Sequence, residues 1–112
     1  MVNHRSNFEL VLVLTTEADF NRAENLAKAL LERRFVACVS LRQVQSHYWW
    51  NGQLEQSQEV ELLIKTTNGQ LKNVWEAIQE LHSYDIPEFV HWSGVASMAY
   101  KNWISESVEP SL

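Results

Sequence analysis

The stretch Ser46-His47-Tyr48-Trp49-Trp50-Asn51-Gly52-Gln53-Leu54-Glu55 constrains the fold of this chain more than any other. It carries three aromatic residues at the end of a strand-like run and then turns on Asn51-Gly52. Asn-Gly is the strongest short hairpin signal, because both residues tolerate the positive φ that a type I′ turn requires. A hairpin this aromatic, in a chain of 112 residues, has more apolar surface near its tip than one domain can readily cover. A chain of this size buries only about 60–70% of its unfolded surface alone. The hairpin therefore points to a partner subunit.

Four strands and three helices are expected. Phe8-Glu9-Leu10-Val11-Leu12-Val13-Leu14 is short, aliphatic and free of Gly and Pro, which suits a strand buried on both faces. Thr16 with Asp19 resembles a capping box that opens a helix from about Asp19 to Arg34. Ala23, Leu26, Ala27, Leu30 and Leu31 form its apolar stripe. Strand formers resume at Phe35 and run to Trp49, and Gln53–Thr67 returns as the hairpin partner. Asn68 is a fair N-cap for a second helix, in which Leu71, Val74, Trp75, Ile78, Leu81 and His82 share a face. Pro87 biases Ile86 away from helix. Glu88–Val95 reads as the fourth strand, with Gly94 marking a bulge or an end. Ser97 caps a short last helix that carries Tyr100, Trp103 and Ile104.

The order β-α-β-β-α-β plus a terminal helix predicts an α+β, ferredoxin-like sandwich with an extended hairpin. One domain spans 8–107, between a flexible segment 1–7 and a tail 108–112. The central strands are too apolar for one sheet face to meet water, so association through strand edges and the open face is expected.

Composition narrows the function classes. The net charge of −5 and a pI near 5.3 disfavour a nucleic-acid partner, which needs a basic footprint. The one adjacent basic pair, Arg33-Arg34, sits at a helix end, where cations favour the macrodipole. The single cysteine, Cys38, forms no intrachain disulfide and reads as a buried small hydrophobe in a reducing compartment. No stretch approaches a membrane span, and Met1–Asn7 is polar with no signal-peptide core behind it. A cytoplasmic location is expected. A Gly-rich phosphate loop, a G-x-S-x-G elbow and a His-Glu-x-x-His pair are all absent from the sequence, so an enzyme is not expected.

Four segments together resemble the CutA family of divalent-cation tolerance proteins. They are Val13-Leu14-Thr15-Thr16, Leu30–Val39, Tyr48-Trp49-Trp50-Asn51-Gly52-Gln53-Leu54-Glu55, and Leu81-His82-Ser83-Tyr84-Asp85-Ile86-Pro87-Glu88. The resemblance runs from about Phe8 to Ile104. It implies a homotrimer with the hairpin laid across a neighbour, an architecture similar to the PII signalling proteins, and a link to divalent metals, chiefly Cu²⁺.

It also implies a metal site at His82 and Glu88. The turn between helix and strand can bring these together, and imidazole nitrogen with carboxylate oxygen suits copper or zinc. Some members add a cysteine at the end of the first strand. Here that position is Thr15, whose hydroxyl is a poor ligand for a soft metal. The competing reading is structural: His82 donates a hydrogen bond at the helix end, and Glu88 pairs with a cation or caps the turn. His47 and His91 lack partners at ligand spacing. Tyr48, Trp49 and Trp50 either line a small-ligand pocket or anchor an interface, and their residue types favour the interface. The functional expectation is a trimeric protein of divalent-metal binding and tolerance. The alternative is a PII-like signalling or scaffold module that takes a small ligand or partner protein in clefts between subunits.

Overall fold

The computed structural model describes residues 8–110; the flexible segment expected at 1–7 lies outside them. The element order is β1 (Leu10–Glu17), α1 (Phe20–Glu32), β2 (Cys38–Trp50), β3 (Gln53–Thr67), a 3₁₀ turn (Asn68–Gln70), α2 (Leu71–Leu81), β4 (Val90–Gly94) and α3 (Met98–Ser107). The strands form one antiparallel sheet in the order β2-β3-β1-β4. This is the split βαβ arrangement expected from the sequence.

Alternation along β1 decides which residues face the helices. Val11 and Val13 point to one side and join Val60, Leu62 and Ile64 of β3. Ala23, Leu26, Ala27 and Leu30 of α1 and Val74, Ala77 and Ile78 of α2 close over them. Leu10 points to the opposite face. There it meets Ile104 and Val108 from the end of the chain, with Phe8, Ala96 and Tyr100 packed around them. The tail expected from residue 108 thus begins with a buried valine, and the Glu109 N–H donates to Arg34 O.

α3 covers the Leu10 end of this second face and reaches Lys65, whose Nζ donates to Tyr100 Oη at 3.2 Å. Further along, the register lays Lys65, Leu12 and Trp92 in one row and Leu63, Leu14 and Val90 in the next. Trp92 and Val90 are exposed, and the inner members of both rows are partly so. β1 is therefore sealed on its helix side and only partly covered on the other.

The hairpin turns as expected, with Asn51 at φ 51° and Gly52 at φ 77°, the left-handed pair that type I′ demands. β3 pairs with β1 over Val60–Thr67, whereas Gln53–Glu59 pairs with β2 alone. The hairpin tip thus stands free of the sheet, and the molecule is 57 Å long but only 24 by 21 Å across.

Several boundaries differ from the sequence reading for local reasons. Asp19 itself is the N-cap of α1 and accepts from Arg22 N at 2.8 Å, so Thr16 makes no capping box. α1 stops at Glu32 because Arg34 turns left-handed at φ 61°. Phe35 N then donates to Leu30 O and Arg34 N to Leu31 O, the Schellman pattern with arginine where glycine is usual. Phe35, Val36 and Ala37 form the connection into β2 rather than its start. Asn68 does not cap α2; its Oδ1 accepts from Glu9 N and ties the β3 exit to the β1 entry. Cys38 sits half-buried opposite Lys65 rather than in the core.

Candidate functional site

Two structures meet where the end of β1, the root of the hairpin and the α2–β4 connection converge. One is a buried polar latch; the other is an open cleft.

The latch forms around Glu17, whose place at the end of β1 puts it on the helix side, two residues beyond Thr15. Glu17 is 1% exposed. Its carboxylate accepts from Ala18 N at 3.1 Å, Ser83 N at 3.0 Å and Ser83 Oγ at 2.5 Å. A buried carboxylate needs such partners, since an unpaired one is strongly disfavoured. His82 follows α2 as its C-cap, and its side chain is fully buried. Tyr84 N donates to His82 Nδ1 at 3.0 Å, so the ring carries its proton on Nε2 and donates to Thr16 O at 2.5 Å. Glu17 Oε2 lies 3.6 Å from Nδ1, farther than the Tyr84 amide that occupies that lone pair. Thr15 Oγ1 is buried nearby along the strand and has no hydrogen-bond partner among the described residues.

The cleft has a volume of about 510 Å³. Tyr48, Trp50, Ser57 and Glu59 of the hairpin form one side. Tyr84, Asp85, Ile86 and Glu88 of the α2–β4 connection form the other, with Thr16 and Ala18 between. Tyr48 and Trp50 share a strand face because they are two residues apart. Trp49 points to the opposite face, paired across the hairpin with Leu54, and each of these two is 70% exposed.

Tyr84 Oη donates to Glu59 Oε2 at 2.7 Å and locks the loop to the hairpin root. Burial, then the Glu59 hydrogen bond and the charges of Glu59 and Glu17, raise the Tyr84 hydroxyl well above its ordinary range. Glu88 lies at the cleft rim. Partial desolvation of this largely exposed side chain, followed by the negative charges of Glu61 and Glu59, raises its carboxyl above the usual value. Glu61 is itself paired with Arg42 at 2.9 Å.

Of the residues singled out from the sequence, Glu88, Tyr48 and Trp50 line the cleft, whereas His82 lies in the latch and does not line it. Trp49 belongs to the outer surface of the arm. His91 rests against the Phe89 ring at 5.7 Å, and His47 is exposed on the arm. Among the described residues, no three His, Cys, Asp or Glu side chains converge as a ready metal centre. Sequence reasoning missed Glu17, Glu59 and Tyr84. Glu17 had a readable signal: a charged residue ending an otherwise apolar buried strand requires a partner. Tyr84 and Glu59 had none, because their meeting depends on how the loop crosses the hairpin.

The fold and cleft define a small α+β protein that presents acidic and aromatic side chains at a hairpin root. A family profile described as "CutA1 divalent ion tolerance protein" matches residues 11–107, and the chain belongs to that family. The divalent-cation tolerance protein CutA of Pyrococcus horikoshii is 38% identical over 81 residues, 72% of this chain and 79% of that one. The Thermotoga maritima protein is 33% identical over 100 residues, 88% and 99% of the two chains. Among solved structures, CutA1 of Oryza sativa superposes with a TM-score of 0.90 at 26% identity, covering 95% of this chain and 99% of that one. The Archaeoglobus fulgidus protein, described as a periplasmic divalent cation tolerance protein, gives 0.87 at 29% identity, covering 89% and 99%. No helix among the described residues is long and apolar enough to cross a membrane.

Proposed function

We propose that this protein acts in divalent-metal tolerance as a non-catalytic homotrimer that binds a divalent cation, Cu²⁺ foremost, at its hairpin root. The observation that carries the metal part is Glu88 at the cleft rim, a carboxylate whose charge is disfavoured first by partial burial and then by Glu61 and Glu59. A cation relieves that repulsion and takes oxygen ligands readily. His82 joins Glu88 only by giving up a hydrogen bond, since Tyr84 N and Thr16 O occupy both ring nitrogens. That cost supports Glu88 over His82 as the first ligand. Thr15 supplies no soft ligand.

Calorimetric titration of Cu²⁺ into the tag-free protein tests this reading, with Glu88→Gln and His82→Ala alongside. Binding near one ion per subunit that is lost in Glu88→Gln supports it. Equal binding by parent and both variants would remove these residues from the mechanism.

The trimer is supported by the uncovered rows around Leu12, Leu14, Leu63, Val90 and Trp92 and by the exposed Trp49–Leu54 pair on the projecting arm. Trp49→Ala is expected to lower the assembled mass or the melting temperature. An unchanged trimer of unchanged stability would exclude Trp49 from the interface. The half-exposed single thiol of Cys38 favours a reducing compartment and hence the cytoplasm, which cell fractionation tests directly.

A second reading has its own observation. The cleft of about 510 Å³ falls in the size range of small-molecule sites, roughly 300–1,000 Å³. It supports a PII-like module that responds to a small ligand between subunits.

A further inference from the structure

Carboxylates and aromatic rings make up the larger part of the cleft lining, beside Thr16, Ala18, Ser57, Gln58 and Ile86. Three carboxylates, Glu59, Asp85 and Glu88, and three aromatic rings, Tyr48, Trp50 and Tyr84, line it. Among the described residues, no lysine or arginine does. Arg42 is paired with Glu61, and neither lines the cleft. Glu59 is partly satisfied by Tyr84 Oη, and no bond of that kind holds Asp85 or Glu88 among the described hydrogen bonds.

From this lining we infer that the cleft binds a small organic cation, a protonated alkylamine, with its ammonium group between the carboxylates and its chain against the aromatic rings. The inference rests on the small-ligand reading above and names the ligand class.

The chemistry favours this class over the alternatives. A phosphate or carboxylate ligand would meet three like charges and no donor cation, so nucleotides and organic acids are repelled. A neutral ligand would leave the carboxylates without relief. A hydrated metal ion would use the oxygens but has no alkyl chain to lie against the three rings. An ammonium group donates N–H bonds to carboxylate oxygens and is attracted to aromatic faces. The net charge of −5 adds a long-range field that concentrates cations near the surface. The Tyr84–Glu59 bond pre-orders the wall, which limits the ordering lost on binding.

The test uses the assembled protein at pH 7 and a matched series of probes: n-butylammonium, 1,4-diaminobutane, 1-butanol and butyrate. Tryptophan fluorescence and calorimetry report binding, the first through Trp50 in the cleft wall. The two amines are expected to bind saturably, and the alcohol and the acid not at all. Glu88→Gln, an isosteric change at an exposed side chain, is expected to weaken amine binding about tenfold, the scale of one charge-assisted hydrogen bond. Trp50→Leu is expected to weaken it about two- to fivefold, as loss of one cation–π contact predicts.

Absence of saturable amine binding would overturn the inference, as would equal binding of 1-butanol or affinity unchanged in both variants. Should Trp50→Leu disturb assembly, the probe series on the parent and on Glu88→Gln still decides. Saturable butyrate binding without amine binding would overturn the ligand class while sparing the small-ligand reading. Cu²⁺ binding without amine binding would likewise overturn the inference and leave the metal reading in place.

Discussion

Removing the Glu17 carboxylate tests the reasoning most sharply, because every term of the expected loss can be assigned to a bond. Glu17 satisfies Ala18 N, Ser83 N and Ser83 Oγ at 3.1, 3.0 and 2.5 Å. Hydrogen bonds to a charged group are worth about 1.5–3 kcal/mol each, so three in full would approach 5–9 kcal/mol. That sum overstates the loss. A shallow cleft of about 200 Å³ borders both Glu17 and Ser83, so water can reach the stranded donors once the side chain is cut back. Glu17→Ala is therefore expected to cost about 3 kcal/mol, the low end of what breaking a buried polar group costs. Ser83→Ala removes only the hydroxyl bond and is expected to cost about 1 kcal/mol. The double variant should lose less than the two single losses added, by about 1 kcal/mol, since they share that bond. Guanidinium unfolding at one fixed protomer concentration measures these values, because the proposed assembly would tie stability to concentration. Hydrogen exchange adds a local readout: the Ser83 and Tyr84 amides should lose protection first in Glu17→Ala. A loss below about 0.5 kcal/mol, within the range of an ordinary surface change, would refute the claim that Glu17 holds the α2–β4 connection in place.

Three further outcomes follow from single observations. Glu88 carries a raised carboxyl pKa, so the folded state holds its proton more tightly than the unfolded chain. Its ionised form therefore disfavours folding increasingly as pH rises from the ordinary 4.5 through the raised value. Glu88→Gln should be at least as stable as the parent at pH 7, with the difference vanishing below pH 4.5, and an opposite trend in melting temperature would contradict the assigned cause. Tyr84→Phe deletes the bond to Glu59 and should cost about 1 kcal/mol; in the parent, ultraviolet titration should show a tyrosine step displaced to high pH, and that step should vanish in the variant. Gly94→Ala would place a Cβ 2.6 Å from Leu12 Cδ1, so the leucine tip must swing aside. Because that atom is the far end of a flexible, partly exposed side chain, the cost is expected to stay below about 1 kcal/mol, which a small shift of the denaturation midpoint with unchanged slope would record.

Much of the frame was legible in the chain because it depends on local rules. The hairpin was readable from Asn51-Gly52, since few residues accept two successive positive φ angles, and β3 was bounded correctly between that turn and Asn68. The cap of α3 at Ser97 was readable because a serine oxygen there meets the Tyr100 amide. The end of α1 was not: Arg34 takes a left-handed conformation that its side chain does not favour. Hydrogen bonds from Glu109 N to Arg34 O and from Arg34 Nη1 to Ser107 O accompany that turn. These reach across the fold and leave no local mark.

The site divides along the same line. The amino-acid sequence by itself determined the strand and helix order, the projecting aromatic hairpin, the acidic balance and the family signature around His82 and Glu88, because patterning and turn chemistry act over a few residues. Only the tertiary structure separated the surroundings of His82 from those of Glu88. The crossing of the α2–β4 connection over the end of β1 consumed both imidazole nitrogens on backbone partners. The same crossing turned Glu88 toward Glu59, Tyr84 and the two hairpin aromatics. Hydrogen-bond saturation of one side chain and charge crowding of another are properties of neighbours brought together from distant parts of the chain, and no stretch of sequence contains them.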